Sequence, residues 1–189
     1  MLFSRFFRRS QGVASATRIY AVIVAHARRP EFYAKHHIPD TLDGRFEMIA
    51  LHAYLVLNRL KGQGVEADTV AQAVFDAMFD DMDRSLREMG VGDLGVGRRV
   101  KAMAQGFYGR IAAYDKGLAL GDAALGEAIA RNLYGTVGAP HDPAREGAVA
   151  PMIAYLRAAR AFLADRPIAD IIATGPSFPD PPSPTGTTG

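Results

Sequence analysis

The sequence predicts an all-α fold, a single compact domain of about six to eight helices, and three observations predict it. Apolar residues recur at three- and four-residue steps through nearly every segment. No stretch shows the strict apolar–polar alternation of a half-buried strand. The chain, at 189 residues and about half hydrophobic, is long enough to bury one real core, and it carries no internal repeat.

Taken in order, residues 1–12 form a basic N-terminal segment, 13–174 the helical domain, and 175–189 a tail. "MLFSRFFRRS" followed by "IYAVIVAHA" has the basic start and Ala-x-Ala ending of a secretory signal. Arg18 abuts the apolar run, however, and the run continues a helical pattern, so Ala16–Arg29 reads as a first helix. The arginine-rich, acid-poor start also suits a transit peptide. No stretch reaches the roughly 18 uninterrupted apolar residues of a membrane-spanning helix.

Pro30 opens a short second helix through "PEFYAKHH", and "IPDTLDG" is a turn-rich connector. Arg45–Lys61 is apolar on most sides and is expected at the centre of the domain. Asp68–Met89 places Ala71, Phe75, Met78, Met82, Leu86 and Met89 on one side. "GVGDLGVG" reads as a loose turn. Val96, Val100, Met103, Phe107, Ile111, Tyr114 and Leu118 mark a fifth helix. Gly106 and Gly109 lie inside it, at a cost that close approach of another backbone would offset. Asp122–Tyr134 and Glu146–Leu163 complete the set. "GPSFPDPPSPTGTTG" has the Pro, Gly, Ser and Thr content of a disordered tail.

Chemical motifs are sparse. With no cysteine, disulfides, thiolate metal sites and cysteine nucleophiles are excluded. "DDMDR" lacks the aspartate that a diphosphate-binding motif needs where Arg84 stands. No Glu is followed three residues later by His, as a di-iron bundle requires. Helical His pairs for zinc, phosphate loops and nucleophile elbows are missing too. We therefore expect no catalytic, cofactor-binding or metal residues, and no cofactor.

Charge is more informative. Residues 1–35 hold seven cations against Glu31 alone, and residues 66–90 hold seven carboxylates against Arg84 and Arg87. The first favours anionic lipid or RNA, the second a basic partner. Nothing points to DNA. Asp76, Asp80, Asp83 and Arg87 follow one another along one side of the fourth helix. Asp80–Arg84 and Asp83–Arg87 are spaced as i,i+4 ion pairs. Arg98, Arg99 and Lys101 stand near the start of the next helix, where the dipole disfavours cations, so something acidic is expected to compensate them, within the chain or on a partner. On the third helix Arg45, His52 and Arg59 repeat every seven residues along one edge. That edge is either a polar margin or a basic strip beside a groove, and His52 itself reads as a hydrogen-bonded core histidine. Met78 and Met82, with Met89 and Met103, suit either a core or an adaptable client surface. These twelve — Asp76, Asp80, Asp83, Arg87, Arg98, Arg99, Lys101, Arg45, His52, Arg59, Met78 and Met82 — are the candidate partner-binding residues.

"DTLDGRFEMIALHAYLVLNRL" and "AQAVFDAMFDDMDRSLREMGVGDLGVGRRVKAMAQGFYGRIAAYD" resemble the ubiquinol–cytochrome c chaperone family, helical proteins of α-proteobacteria and mitochondria. The resemblance runs from about Arg29 to Tyr134. It rests on Asp-Thr, Arg-Phe-Glu, Leu-His, Phe-Asp-x-Met-Phe-x-Asp-Met-Asp and Arg-Glu-Met-Gly-Val-Gly-Asp. It implies a non-enzymatic role in biogenesis of the cytochrome bc complex, respiratory complex III, by binding newly made cytochrome b or another subunit of that complex. Mitochondrial members also act with a small partner subunit and associate with the ribosome. The Gly/Ala-rich, lysine-poor composition and the short segment before the first helix point to a bacterial member, in the cytoplasm or peripheral at the inner membrane; a eukaryotic member would stand on the mitochondrial matrix side. A peripheral membrane adaptor and a helical enzyme with an unfamiliar site are the competing readings.

Overall fold

The computed structural model describes residues 2–135 and 143–182, with side chains for 12–135 and 147–182. Among them are eight helices and no strand: α1 (Leu2–Ala27), α2 (Pro30–Ala34), α3 (Leu42–Leu60), α4 (Val65–Glu88), α5 (Asp93–Leu120), α6 (Asp122–Tyr134), α7 (Pro143–Ala164) and α8 (Ile168–Thr174).

Helix α3 is the axis of the bundle. Thirteen of its nineteen residues are buried, and it packs against α1, α4, α5, α6 and α7. It begins three residues earlier than the apolar pattern implied. Thr41 is the N-cap, its hydroxyl accepting from the Gly44 N–H at 3.2 Å, so the Asp-Thr motif sets where the helix starts. Leu51, Leu55 and Val56 are buried in the core.

The apolar run of α1 is core. Ala16, Ile19, Tyr20, Ile23 and Ala27 are buried on one face, and the helix lies along α4. It runs unbroken through residue 12, with no joint between a basic segment and the domain. The buried stripe of α4 is Ala67, Val70, Val74, Met78, Met82 and Leu86. It is thus rotated from the sequence expectation, which omitted Val70 and Val74 and included Met89, an exposed residue.

The glycine run "GVGDLGVG" is only half a turn. The Gly90 N–H reaches the Arg87 carbonyl at 2.9 Å and the Val91 N–H the Leu86 carbonyl at 3.1 Å, with Gly90 at φ 81°. That is a Schellman closure, which needs a residue tolerant of the left-handed region at Gly90. From Asp93 the chain is already helical. Close backbone approach occurs in α5 as expected, but at a different glycine. A Cβ on Gly117 would stand 2.7 Å from the Leu125 Cα of α6, whereas Gly109 faces open space and Gly106 meets only the flexible Arg110 side chain.

Helix α8 is absent from the sequence reading because seven residues carry too little periodicity. Beyond Thr174 the chain is irregular, as its composition predicts. Residues 183–189 of the expected tail lie outside the described residues, but 175–182 are fastened to the bundle. Gly175 and Pro176 are buried, and Phe178 packs on the core. Proline content prevents helix here; it does not prevent docking by side chains.

Candidate functional site

The charged α4–α5 corner is built by its helix ends. Arg87 donates to Asp83 Oδ2 at 2.6 Å, the expected i,i+4 pair, and also pairs with Asp93 in the first turn of α5. Arg84 does not take Asp80, the expected partner. It takes Asp81 at 3.0 Å, whose other oxygen accepts from the Tyr20 hydroxyl at 2.9 Å. Tyr20 anchors Asp81 towards α1, and that brings its carboxylate within reach of Arg84 ahead of the outward-facing Asp80. Asp76 accepts from Gln72 at 2.8 Å. The aspartates thus point to different neighbours instead of converging on one centre. Arg98, Arg99 and Lys101 are exposed, and Asp93, the acid nearest them in the α5 N-terminus, is taken by Arg87. Beside them Leu94 is 90% exposed and Met89 52%.

A groove of about 680 Å³ opens behind this corner between α3, α4 and α5. Phe46, Leu86 and Met103 give it apolar lining, and Asp43, Arg99 and Arg110 give it charge. Its inner wall holds a buried ion pair. Glu47, 3% exposed, accepts Arg110 Nε at 2.6 Å on Oε2 and the guanidinium amine on Oε1. Burial pushes the Glu47 carboxyl above its usual range against the pull of Arg110. The guanidinium also stacks 5.5 Å from the centroid of Phe46. The Arg-Phe-Glu motif therefore supplies two groove residues, Phe46 and Glu47, while Arg45 turns outward to Asp40 at 2.6 Å.

The proposed basic edge of α3 does not survive as one surface. Arg45 pairs with Asp40. His52 is fully buried, so it presents nothing to a partner. Arg59 donates to the Leu163 and Arg166 carbonyls, both at 2.9 Å, capping α7 where carbonyls have no helical partner. Seven-residue spacing aligned them along the helix, and their different neighbours separated their roles. Met78 and Met82 are likewise in the core, because the α4 stripe that carries them faces α1, α3 and α5. They line no outer surface.

A second cluster was only half legible in the sequence. His52 Nδ1 lies 2.8 Å from the Met48 carbonyl, which can only accept, so Nδ1 carries the proton. Neutral His52 then accepts through Nε2 from the Tyr155 hydroxyl at 2.6 Å. The same hydroxyl oxygen accepts from His26 Nε2 at 2.9 Å. Burial drives His52 down to about 3 and His26 to about 4 and raises the Tyr155 phenol, which keeps all three groups neutral near pH 7. Phe32 and Phe178 complete the cluster, with Phe32 5.1 Å from the Tyr155 ring. His52 was readable as a core histidine. His26 and Tyr155 were missed, since no spacing links residues 26, 52 and 155.

This architecture defines a class: an all-helical domain with an open amphipathic groove and a neutral buried histidine–tyrosine hub. Comparison with known proteins is more specific. The ubiquinol-cytochrome C chaperone profile matches residues 34–178, and the chain belongs to that family. The match extends past Tyr134 through α7, α8 and Phe178, further than the quoted motifs. Ubiquinol-cytochrome-c reductase complex assembly factor 1 of Xenopus laevis is 29% identical over 119 residues, 63% of this chain and 60% of that protein. The Homo sapiens assembly factor 1 is 28% identical over 120 residues, 64% of this chain and 40% of that protein. The matches thus span less than two thirds of these relatives' length. The crystal structure of the Cbp3 homolog from Brucella abortus superposes with a TM-score of 0.78 at 38% identity, covering 95% of this chain and 97% of that one.

In the light of the fold, most family motif residues are structural. Thr41 caps α3, His52 holds the hub, Met78, Phe79 and Met82 fill the core, and Asp81 ties α4 to α1. Among the described residues the exposed cations Arg98, Arg99 and Lys101 make no ion pair, and Arg99 stands at the groove. Among the described residues no helix is long and apolar enough to cross a membrane.

Proposed function

We propose that this protein is a non-enzymatic assembly chaperone for the cytochrome bc complex, and that it binds newly made cytochrome b through the α3–α4–α5 groove. The carrying observation is the groove itself: Phe46, Leu86 and Met103 form its apolar floor, and Arg99 and Asp43 stand beside them. A client helix on its way into a membrane offers apolar surface flanked by charge. Such a groove holds it as an amphipathic helix is held, with rim charges setting encounter and register. Methionine lining tolerates varied side chains.

The family membership and the relatives' role in assembling the reductase complex support the same reading. We place the protein in the bacterial cytoplasm, with access to the inner membrane from its surface. Flotation with anionic vesicles, with and without residues 1–12, tests that placement.

The decisive experiment is co-purification of cytochrome b with the tagged full-length protein, in wild type and in the Arg98→Gln, Arg99→Gln variant. The exposed cations contribute little to folding, so the variant melts within about 2 °C of wild type. It recovers several-fold less cytochrome b. Equal recovery from both proteins refutes the corner as the client-binding surface, and no recovery from wild type refutes the client.

A further inference from the structure

Residues 176–182, "PSFPDPP", cross α1, the end of α2 and α3 in a manner unlike the rest of the chain. After the Gly175 N–H reaches the Ile171 carbonyl at 3.0 Å, none of these residues makes a backbone–backbone hydrogen bond to another described residue. They are held at four points. Ser177 accepts from Arg166 at 2.5 Å. Phe178 lies 4.9 Å from the His26 ring and 5.0 Å from the His52 ring, measured between centroids. Asp180 accepts from Arg29 at 2.6 Å. The Pro182 carbonyl accepts from His36 Nε2 at 2.7 Å.

The groups that receive this strap are fixed without it. His52 is oriented by the Met48 carbonyl and Tyr155, and His26 by Tyr155. Arg29 is also tied to Glu31 at 3.0 Å. The backbone of His36 is held by the Tyr134 hydroxyl at 2.8 Å. A preformed slot, engaged by an extended proline-rich segment through side chains, is how separate peptides are bound by receptor domains. The Asp180 point of the latch is light, since its side chain is 89% exposed and an ion pair that open contributes little.

We propose that this cleft is a docking site for an extended segment of a partner protein, and that residues 176–182 occupy it in cis. The segment carries an aromatic residue followed two positions later by a carboxylate. The aromatic ring enters the neutral imidazole slot, and the carboxylate meets Arg29. The cleft is separate from the α3–α4–α5 groove, so the proposal stands or falls independently of the client reading.

The test uses the full-length chain and a fluorescein-labelled PSFPDPP peptide, followed by anisotropy. Tethering gives the strap an effective concentration in the millimolar range, so wild type excludes the peptide. The Phe178→Ala, Asp180→Ala variant has an empty cleft and binds it at least tenfold more tightly. A peptide with alanine in place of its phenylalanine does not bind. Adding Arg29→Ala to the variant removes most of the gain. Absence of saturable binding to a cooperatively melting variant overturns the proposal, as does binding equal to wild type. If the double variant does not melt cooperatively, the Asp180→Ala single variant replaces it. A threefold or greater gain over wild type is then expected, and no gain overturns the proposal.

Discussion

Where α1, α3 and α7 meet, the polar groups are closed on one another: His26 and His52 share the Tyr155 hydroxyl, and Arg59 fills the carbonyls that end α7. At the α4–α5 corner several charged groups are left open, with Arg98, Arg99 and Lys101 exposed and Asp80 facing solvent. Both regions come from regular helices with similar spacing of charge. The difference lies in what the fold brings opposite each side chain. Closed polar groups hold the bundle together, and open ones contribute little to it.

Arg110 and Arg99 line the same groove, one closed and one open, and they bracket the expected effects. Arg110→Ala leaves Glu47 buried and unpaired, which costs on the order of 3–5 kcal/mol. The Glu47→Gln, Arg110→Met double variant recovers most of that loss, because it removes the uncompensated charge. Urea denaturation of the three proteins checks both statements. A loss below 1 kcal/mol in Arg110→Ala would mean that water reaches Glu47 and that the groove wall is not closed.

The hub predicts a pH dependence with a definite sign. Its imidazoles titrate below their usual value when folded, so the unfolded chain binds more protons in the intervening window. Stability is therefore full above about pH 6.5 and falls as pH drops towards 4 and 3. His52 alone contributes a slope of about 1.4 kcal/mol per pH unit within that window. Tyr155→Phe lowers stability at pH 7, since it takes away the donor to His52 and leaves His26 without its acceptor. Denaturant midpoints between pH 5 and 7.5 measure the slope, and a flat profile would show the imidazoles to be wetter than their geometry implies.

The smallest effect on folding belongs to Asp80→Asn, within about 0.5 kcal/mol of wild type. Its neighbour Asp81 is the sharper contrast. Asp81→Asn weakens the bonds to both Tyr20 and Arg84 and costs roughly 1–2 kcal/mol. Thermal melts of the two single variants separate the open aspartate from the closed one. Equal melting points would dissolve the distinction.

Much of this fold was legible because helical periodicity is local. The apolar pattern of Arg45–Lys61 was enough to place α3 at the centre, and Asp122–Tyr134 matched α6 at both ends. The pattern failed where local signals mislead. Three glycines hid the first turn of α5, and α8 was too short to show a period. Of the candidate surface, the corner cations were singled out by their position against a helix dipole. The groove behind them was not, since Phe46, Leu86 and Met103 come from three helices.

What the sequence by itself determined is therefore the set of helices, the central one among them, and the family, all of which rest on residues close together in the chain. Only the tertiary structure decided which member of each stripe faces inward. It joined His52 to Tyr155, buried Met78, turned Arg59 to the end of α7, gave Arg84 to Asp81, and laid Phe178 between two imidazoles. The physical reason is that a side chain's spacing fixes its direction from its own helix, while its environment is supplied by helices that spacing does not see. Partnership, burial and the shifts in proton affinity that follow from them belong to that second, non-local level.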